Sequence, residues 1–394
     1  MNQAFLDRLR VDLDVRRDGV GLREDLVVSG PQGPLVGLGG QQVVNLASND
    51  YLGLAGDPEV LESARQAVTE LGLGTTAGRV LCGNREVHHR LEERLAALVG
   101  TEGAVLYGSC FDANLGVFDA LLGPEDVVLS DALNHASLID GIRLASARRR
   151  VYAHGDLEEL ERHLAGSADA RHRVIVTDGV FSMDGDLADL PALEELVRRY
   201  DAVLVVDDSH ATGILGATGA GTAEHFGLVG GIDVLTGTLG KALGGAAGGF
   251  AAGSRAVVDT LRQVSRPYVF TNAMAPALCA AVLSALQIAH DRPALRQQLA
   301  ANARWLRQAL GDLGYEVVPG EHPIIPVMLR GGSLARDLAA ELRLQGILVL
   351  ALAHPVVQPG EERIRVQVSA SHTPEQLEQV VAAFGRTRRM LGAA

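Results

Sequence analysis

Ile232-Asp233-Val234-Leu235-Thr236-Gly237-Thr238-Leu239-Gly240-Lys241-Ala242-Leu243-Gly244-Gly245 passes from a short apolar strand candidate into a glycine-rich turn that carries Lys241. Lys241 is the only lysine of the chain; the other basic side chains are all arginine. Arginine serves wherever a positive charge or a long stem is wanted, but its guanidinium stays protonated and attacks carbonyls poorly. A primary amine can lose its proton and become a nucleophile, so an amine kept at this one place points to amine chemistry. By count alone, a leftover surface lysine is an equally good reading. The setting tips the balance, because Gly240 and Gly244-Gly245 mark backbone that approaches something closely.

Outward from this stretch, between about 55 and 255, short apolar runs alternate with amphipathic helical patterns. Ala104 to Tyr107, Val127 to Ser130, Val174 to Thr177, Val203 to Asp207 and Ile232 to Thr238 read as buried strands. Val87, Leu91, Leu95 and Leu98 share one helical face between them. This is the pattern of an α/β domain with a mostly parallel sheet covered on both sides, and such sheets bind ligands at the ends of their strands. From about 285 the order becomes helix, strand (Ile324 to Leu329), helix, strands (Ile347 to Ala351 and Arg363 to Val368) and a last helix after Thr373-Pro374-Glu375. The expected division is an N-terminal arm (1–54), a large α/β domain (55–284) and a smaller α+β domain (285–394).

The formal net charge of -13 leaves no basic excess to neutralise phosphates, so a nucleic-acid or anionic-membrane surface is not expected. Cys82, Cys110 and Cys279 are too few and too scattered for zinc or a disulfide framework, and no metal site is expected. A reducing, cytoplasmic setting is. Residues 1 to 19 carry Leu6, Leu9 and Leu13 on a helical period among charges, which reads as an amphipathic helix. No apolar run reaches the roughly 18 residues of a membrane span.

If Lys241 reacts with a carbonyl, an aldehyde cofactor is its natural partner, and pyridoxal phosphate makes four further demands. Its pyridine nitrogen needs a carboxylate, which Asp207 supplies at the end of Val203-Leu204-Val205-Val206, with His210 three residues on. Its ring needs a stacking group, for which His135 follows another strand. Its phosphate needs N–H donors at a helix start, as in Gly108-Ser109-Cys110-Phe111-Asp112-Ala113-Asn114. The substrate carboxylate needs a bidentate cation, for which Arg365 in Glu362-Arg363-Ile364-Arg365-Val366 is the candidate. Taken singly, each has a plainer reading: a helix cap, a structural histidine, a capped helix without ligand, an exposed strand arginine. Rival motifs fail on inspection. A Walker A loop ending at Lys241 would need glycine at 235 and serine or threonine at 242, where Leu235 and Ala242 stand.

The ordered motifs Ser48-Asn49-Asp50-Tyr51-Leu52-Gly53, Thr177-Asp178-Gly179-Val180-Phe181-Ser182-Met183-Asp184-Gly185, the Lys241 stretch, Arg363-Ile364-Arg365 and Ser371-His372-Thr373 run the length of the chain. Together they resemble the α-oxoamine synthases, pyridoxal 5'-phosphate enzymes of the fold type I transferases that join an amino acid to an acyl-CoA. By that resemblance Lys241 would bear the cofactor, Asp207 would pair with its ring nitrogen and His135 would stack on its ring. His210 and Ser182 would lie at the ring hydroxyl, and the amides of Cys110 and Phe111 would hold the phosphate with Thr238 and a partner chain's Thr271. Asn49 and Arg365 would bind the substrate carboxylate. The resemblance also implies a homodimer with shared sites. Asp208 departs from the glutamate seen in many members. Cys110-Phe111-Asp112 and Ser265-Arg266-Pro267-Tyr268 lean toward members that use glycine and acetyl-CoA, the alternative being alanine with pimeloyl-CoA or a broad specificity.

Overall fold

The computed structural model of this chain describes residues 2–19, 25–330, 333–354 and 356–392. Its central sheet has seven strands among the described residues, in the spatial order Gly103–Tyr107, Gly249–Gly253, Val234–Thr238, Val203–Asp207, Arg173–Asp178, Val127–Asp131 and Arg148–Tyr152. Gly249–Gly253 runs antiparallel to both neighbours and the rest are parallel. The valine- and leucine-rich runs form these strands because both faces are covered. On one face Leu91, Leu95, Leu160, Leu193 and Leu286 pack on Leu106, Leu129, Ile175, Leu204 and Leu235. On the other, Val117, Phe118, Leu138 and Ile142 pack on Val105, Val128, Val176 and Val205.

Two of the seven strands were not among the expected ones. Gly249-Phe250-Ala251-Ala252-Gly253 has little β-branched character, and its single large side chain, Phe250, is fully buried. Arg148–Tyr152 is an edge strand whose Arg148 and Arg149 are exposed, a common device against edge-to-edge pairing.

The C-terminal part builds an antiparallel sheet in the order Glu316–Val317, Ile324–Met328, Arg363–Gln367 and Leu350–Leu352. Helices Ala294–Asp312, Leu334–Leu344 and Pro374–Leu391 cover it through Leu306, Leu338 and Phe384. The run expected as one strand from Ile347 to Ala351 is divided. Ile347–Leu348 pairs in parallel with Gln41–Asn45 of the arm, while Leu350–Leu352 joins Arg363–Gln367. The arm is thereby stitched to the C-terminal part, and Asn49 is brought beside Arg363–Gln367. The helix Gln3–Gly19 forms as expected, with Phe5, Leu9 and Leu13 exposed. Among the described residues no helix is long and apolar enough to cross a membrane.

Candidate active site

The parallel strands end together, and the candidate residues follow from those ends. Asp207 closes Val203–Asp207, Thr238 closes Val234–Thr238, His135 follows Val127–Asp131, and Ser182 follows Arg173–Asp178. Cys110 opens the helix Cys110–Leu121 beyond Gly103–Tyr107. Ser109 caps that helix by accepting the Asp112 N–H at 3.0 Å, and the Ala113 N–H reaches the Ser109 carbonyl at 3.1 Å. The first two helical N–H groups, of Cys110 and Phe111, are left for an outside acceptor. Gly249 crosses directly behind this start: a Cβ there would collide with the Cys110 amide nitrogen and Cα. Thr238 Oγ1 accepts the Gly240 N–H at 3.1 Å and so shapes the turn that presents Lys241.

Lys241 is half-buried, and desolvation lowers its ammonium pKa below the usual lysine value. The Asp207 carboxylate opposes that shift through its charge. Asp207 is buried; its oxygens accept from Asn114 Nδ2 at 2.7 Å and from the Ser209 N–H at 3.0 Å. The Cys110 thiol lies 3.7 Å from the same carboxylate, and burial raises its pKa well above the usual range. His135 is exposed, with its Nδ1 held by Ser137 Oγ at 2.7 Å and its backbone N–H donating to Asp178 at 2.7 Å. Desolvation holds its pKa below that of a free imidazole. His210 is buried 2.8 Å from the Tyr51 hydroxyl, and burial followed by the nearby charge of Lys241 drives its pKa well down.

A second string of contacts joins the substrate candidates. Asn49 Oδ1 accepts from Gln367 Nε2, Arg365 Nη2 lies 3.4 Å from Gln367 Oε1, and Arg365 Nη1 donates to the Ser182 carbonyl at 2.8 Å. Tyr51 links this string to the first, with its hydroxyl 3.3 Å from Asn49 Oδ1. Arg363 is neutralised by Asp184 and Glu361, whereas Arg365 has no carboxylate partner among the described residues. Its Nε is buried without a hydrogen bond. Thr271 is exposed in the turn beyond Arg266–Val269 and makes no hydrogen bond to the other candidates among the described residues.

Sequence reasoning passed over Asn114, Ser137, Tyr51 and Gln367. Two of them carried a signal. Asn114 is a polar residue one turn after Cys110 on the buried side of its helix, and Gln367 shares a strand face with Arg365. These residues fit pyridoxal phosphate. An amine of lowered basicity, a buried carboxylate, free amides at a helix start and an unneutralised guanidinium meet its aldehyde, ring nitrogen, phosphate and substrate.

The profile of the class I and II aminotransferases matches residues 41–384. The 2-amino-3-ketobutyrate coenzyme A ligase of Escherichia coli K12 is 46% identical over 395 residues, covering 100% of this chain and 99% of that protein. The human mitochondrial protein of the same name is 41% identical over 397 residues, covering 99% and 95%. The 8-amino-7-oxononanoate synthase of Exiguobacterium sibiricum is 43% identical over 378 residues, covering 96% and 97%. Among solved structures, Sphingomonas wittichii serine palmitoyltransferase superposes with a TM-score of 0.93 at 31% identity, covering 100% of this chain and 99% of that one. A serine palmitoyltransferase from S. paucimobilis with bound PLP–myriocin gives 0.92 at 28%, covering 100% of both. The chain therefore belongs to the class I and II aminotransferase family and, within it, to the pyridoxal phosphate-dependent acyltransferases called α-oxoamine synthases.

Proposed function

We propose that this enzyme condenses glycine with acetyl-CoA to give 2-amino-3-ketobutyrate and free CoA, or runs that reaction in reverse during threonine breakdown. The observation that carries the reading is Arg365: a half-buried guanidinium with an orphan Nε and no carboxylate partner among the described residues, joined to Asn49 through Gln367 and near Lys241. Such a group calls for an anion, and the carboxylate of an amino acid is the one this site would meet. The names of the full-length relatives at 41–46% identity support glycine and acetyl-CoA as the pair.

In this reading Arg365 and Asn49 hold the glycine carboxylate. Lys241 bears the cofactor at rest, and its Nζ takes the Cα proton, a task suited to an amine whose basicity desolvation has reduced. Asp207 would pair with the ring nitrogen, His135 would stack on the ring, and His210 and Ser182 would contact the ring hydroxyl. The amides of Cys110 and Phe111, with Thr238 and Thr271 of a second chain, would hold the phosphate. Pyridoxal phosphate, when bound, supplies an electron sink for charge left at Cα. A C–C bond then forms between that carbon and the acetyl carbonyl, the C–S bond breaks, and the departing thiolate takes a proton. We place the working assembly as a cytoplasmic homodimer, each chain divided as arm 1–54, large domain 55–284 and small domain 285–394.

The Exiguobacterium relative favours a second reading, in which alanine and pimeloyl-CoA are joined with loss of carbon dioxide. Thiol release by the cofactor-loaded protein separates the two. Faster release with glycine and acetyl-CoA than with alanine and pimeloyl-CoA is the expected result; the opposite preference would overturn the proposal, and equal rates would make the enzyme broadly specific.

A further inference from the structure

Asn114 is fully buried, and its amide stands between the Asp207 carboxylate and the Ser137 hydroxyl. Its Nδ2 donates to Asp207 Oδ2 at 2.7 Å and to Ser137 Oγ at 2.9 Å, which uses both amide hydrogens. The orientation of the amide is forced. Turned over, it would set its carbonyl oxygen against the Asp207 carboxylate, and in the orientation present Asn114 Oδ1 is left without a partner. Ser137 Oγ lies 2.7 Å from His135 Nδ1, and the Ser137 backbone N–H points at the same nitrogen from 3.2 Å. Since that N–H can only donate, His135 Nδ1 must accept. Ser137 therefore accepts from Asn114 and passes its own hydroxyl hydrogen to His135. A neutral imidazole with an accepting Nδ1 carries its proton on Nε2.

We propose that Asn114 is a positioning residue of this active site: one amide sets the Asp207 carboxylate directly and, through Ser137 Oγ, fixes the Nε2–H tautomer of His135, so that the groups at the ring nitrogen and on the ring face are aligned together. This rests on the assignment of Asp207 and His135 to the cofactor ring. An uncharged His135 suits that place, because an imidazolium there would repel a protonated pyridine ring. The desolvation that lowers the His135 pKa acts in the same direction. Neither Asn114 nor Ser137 needs to touch substrate.

The test compares Asn114→Ala, Ser137→Ala, the double variant and Asp207→Asn, all loaded with pyridoxal phosphate. It reads the visible absorbance of the bound cofactor across pH together with kcat and KM for glycine. Asn114→Ala is expected to displace the midpoint of the absorbance titration and to lower kcat about 10- to 100-fold, the loss that follows removal of one hydrogen bond to a charged group. KM should stay within about threefold, since the substrate contacts are untouched. Ser137→Ala should move both quantities in the same direction by less, and the double variant should be no worse than Asn114→Ala, as members of one chain of bonds behave. A wild-type midpoint and kcat in Asn114→Ala, or strictly additive effects in the double variant, would overturn the proposal. If Asn114→Ala does not fold, Ser137→Ala decides, and wild-type behaviour there overturns it equally. Wild-type behaviour of Asp207→Asn would instead remove the placement of Asp207 at the ring, on which the proposal stands.

Discussion

Asp207 and Asp208 are neighbours in sequence with separate tasks. The strand pleat turns them apart. Asp207 faces the site, whereas Asp208 is fully buried and accepts from Thr222 Oγ1 at 2.6 Å and the Thr222 N–H at 2.9 Å, anchoring the short helix Thr222–His225. Burial pushes its pKa up to about 7 despite those bonds. Asp207, His135, Lys241 and Arg365 were legible because each follows or lies in a recognisable strand. Asp208 could be read only as a departure from relatives, since its partner lies 14 residues on across a turn. His154 had no sequence signal at all. It bridges Asp131 at 3.1 Å and Asp186 at 2.8 Å and stands edge-on to Phe181, joining the loop that carries His135 to the one that carries Ser182. Hydrogen bonds donated to Asp131 and then to Asp186 raise its pKa from the ordinary 6.5 to about 10. A raised folded-state pKa means that its contribution is complete below 6.5 and lost as the pH climbs through about 10. The gap in melting temperature between wild type and His154→Gln should therefore be widest at pH 6 and narrow steadily toward pH 10 and above; a gap that does not change with pH would contradict the ion-paired clamp.

In the central sheet, strands made of large apolar residues could be read from the sequence, and those made of small or charged residues could not. Val203–Asp207 and Arg173–Asp178 declare themselves, while Gly249–Gly253 is a strand only because its neighbours hold it from both sides. Its glycine at position 249 is demanded by the approach of the helix Cys110–Leu121, a constraint that exists only in three dimensions. Gly249→Ala should push the helix start, with its free Cys110 and Phe111 amides, away from the phosphate position proposed above. An overpacking cost of about 1–3 kcal/mol felt there corresponds to a roughly 5- to 150-fold weaker affinity for pyridoxal phosphate. Equilibrium titration of the apoprotein with the cofactor measures it, and circular dichroism should report an intact fold. Unchanged affinity would mean that the helix start does not hold the phosphate. The split of Ile347 to Leu352 between two sheets shows the same limit, for an apolar run does not say which edge it joins.

At the scale of the whole molecule, the α/β class and the C-terminal change of pattern were readable from periodicity. The surface was not. Leu73, Leu81 and Phe270 are 80%, 77% and 77% exposed, and Phe270 adjoins Thr271, assigned to a second chain's phosphate site. In the dimer proposed above, side chains of this size and exposure would be buried against the other copy. Sedimentation should find a dimer, and Leu81→Asp combined with Phe270→Asp should shift it toward monomer while lowering cofactor occupancy on dilution. A fully occupied, active monomer would contradict shared sites. The central claim remains that Lys241 removes the Cα proton of an amino acid held by Arg365. It is tested most directly by following the exchange of the glycine Cα hydrogens with deuterated solvent, without acyl-CoA, on cofactor-loaded wild type and Lys241→Arg. Exchange by the wild type and its loss in a folded, cofactor-containing Lys241→Arg is the predicted result; exchange at comparable rates in both would show that another group takes the proton.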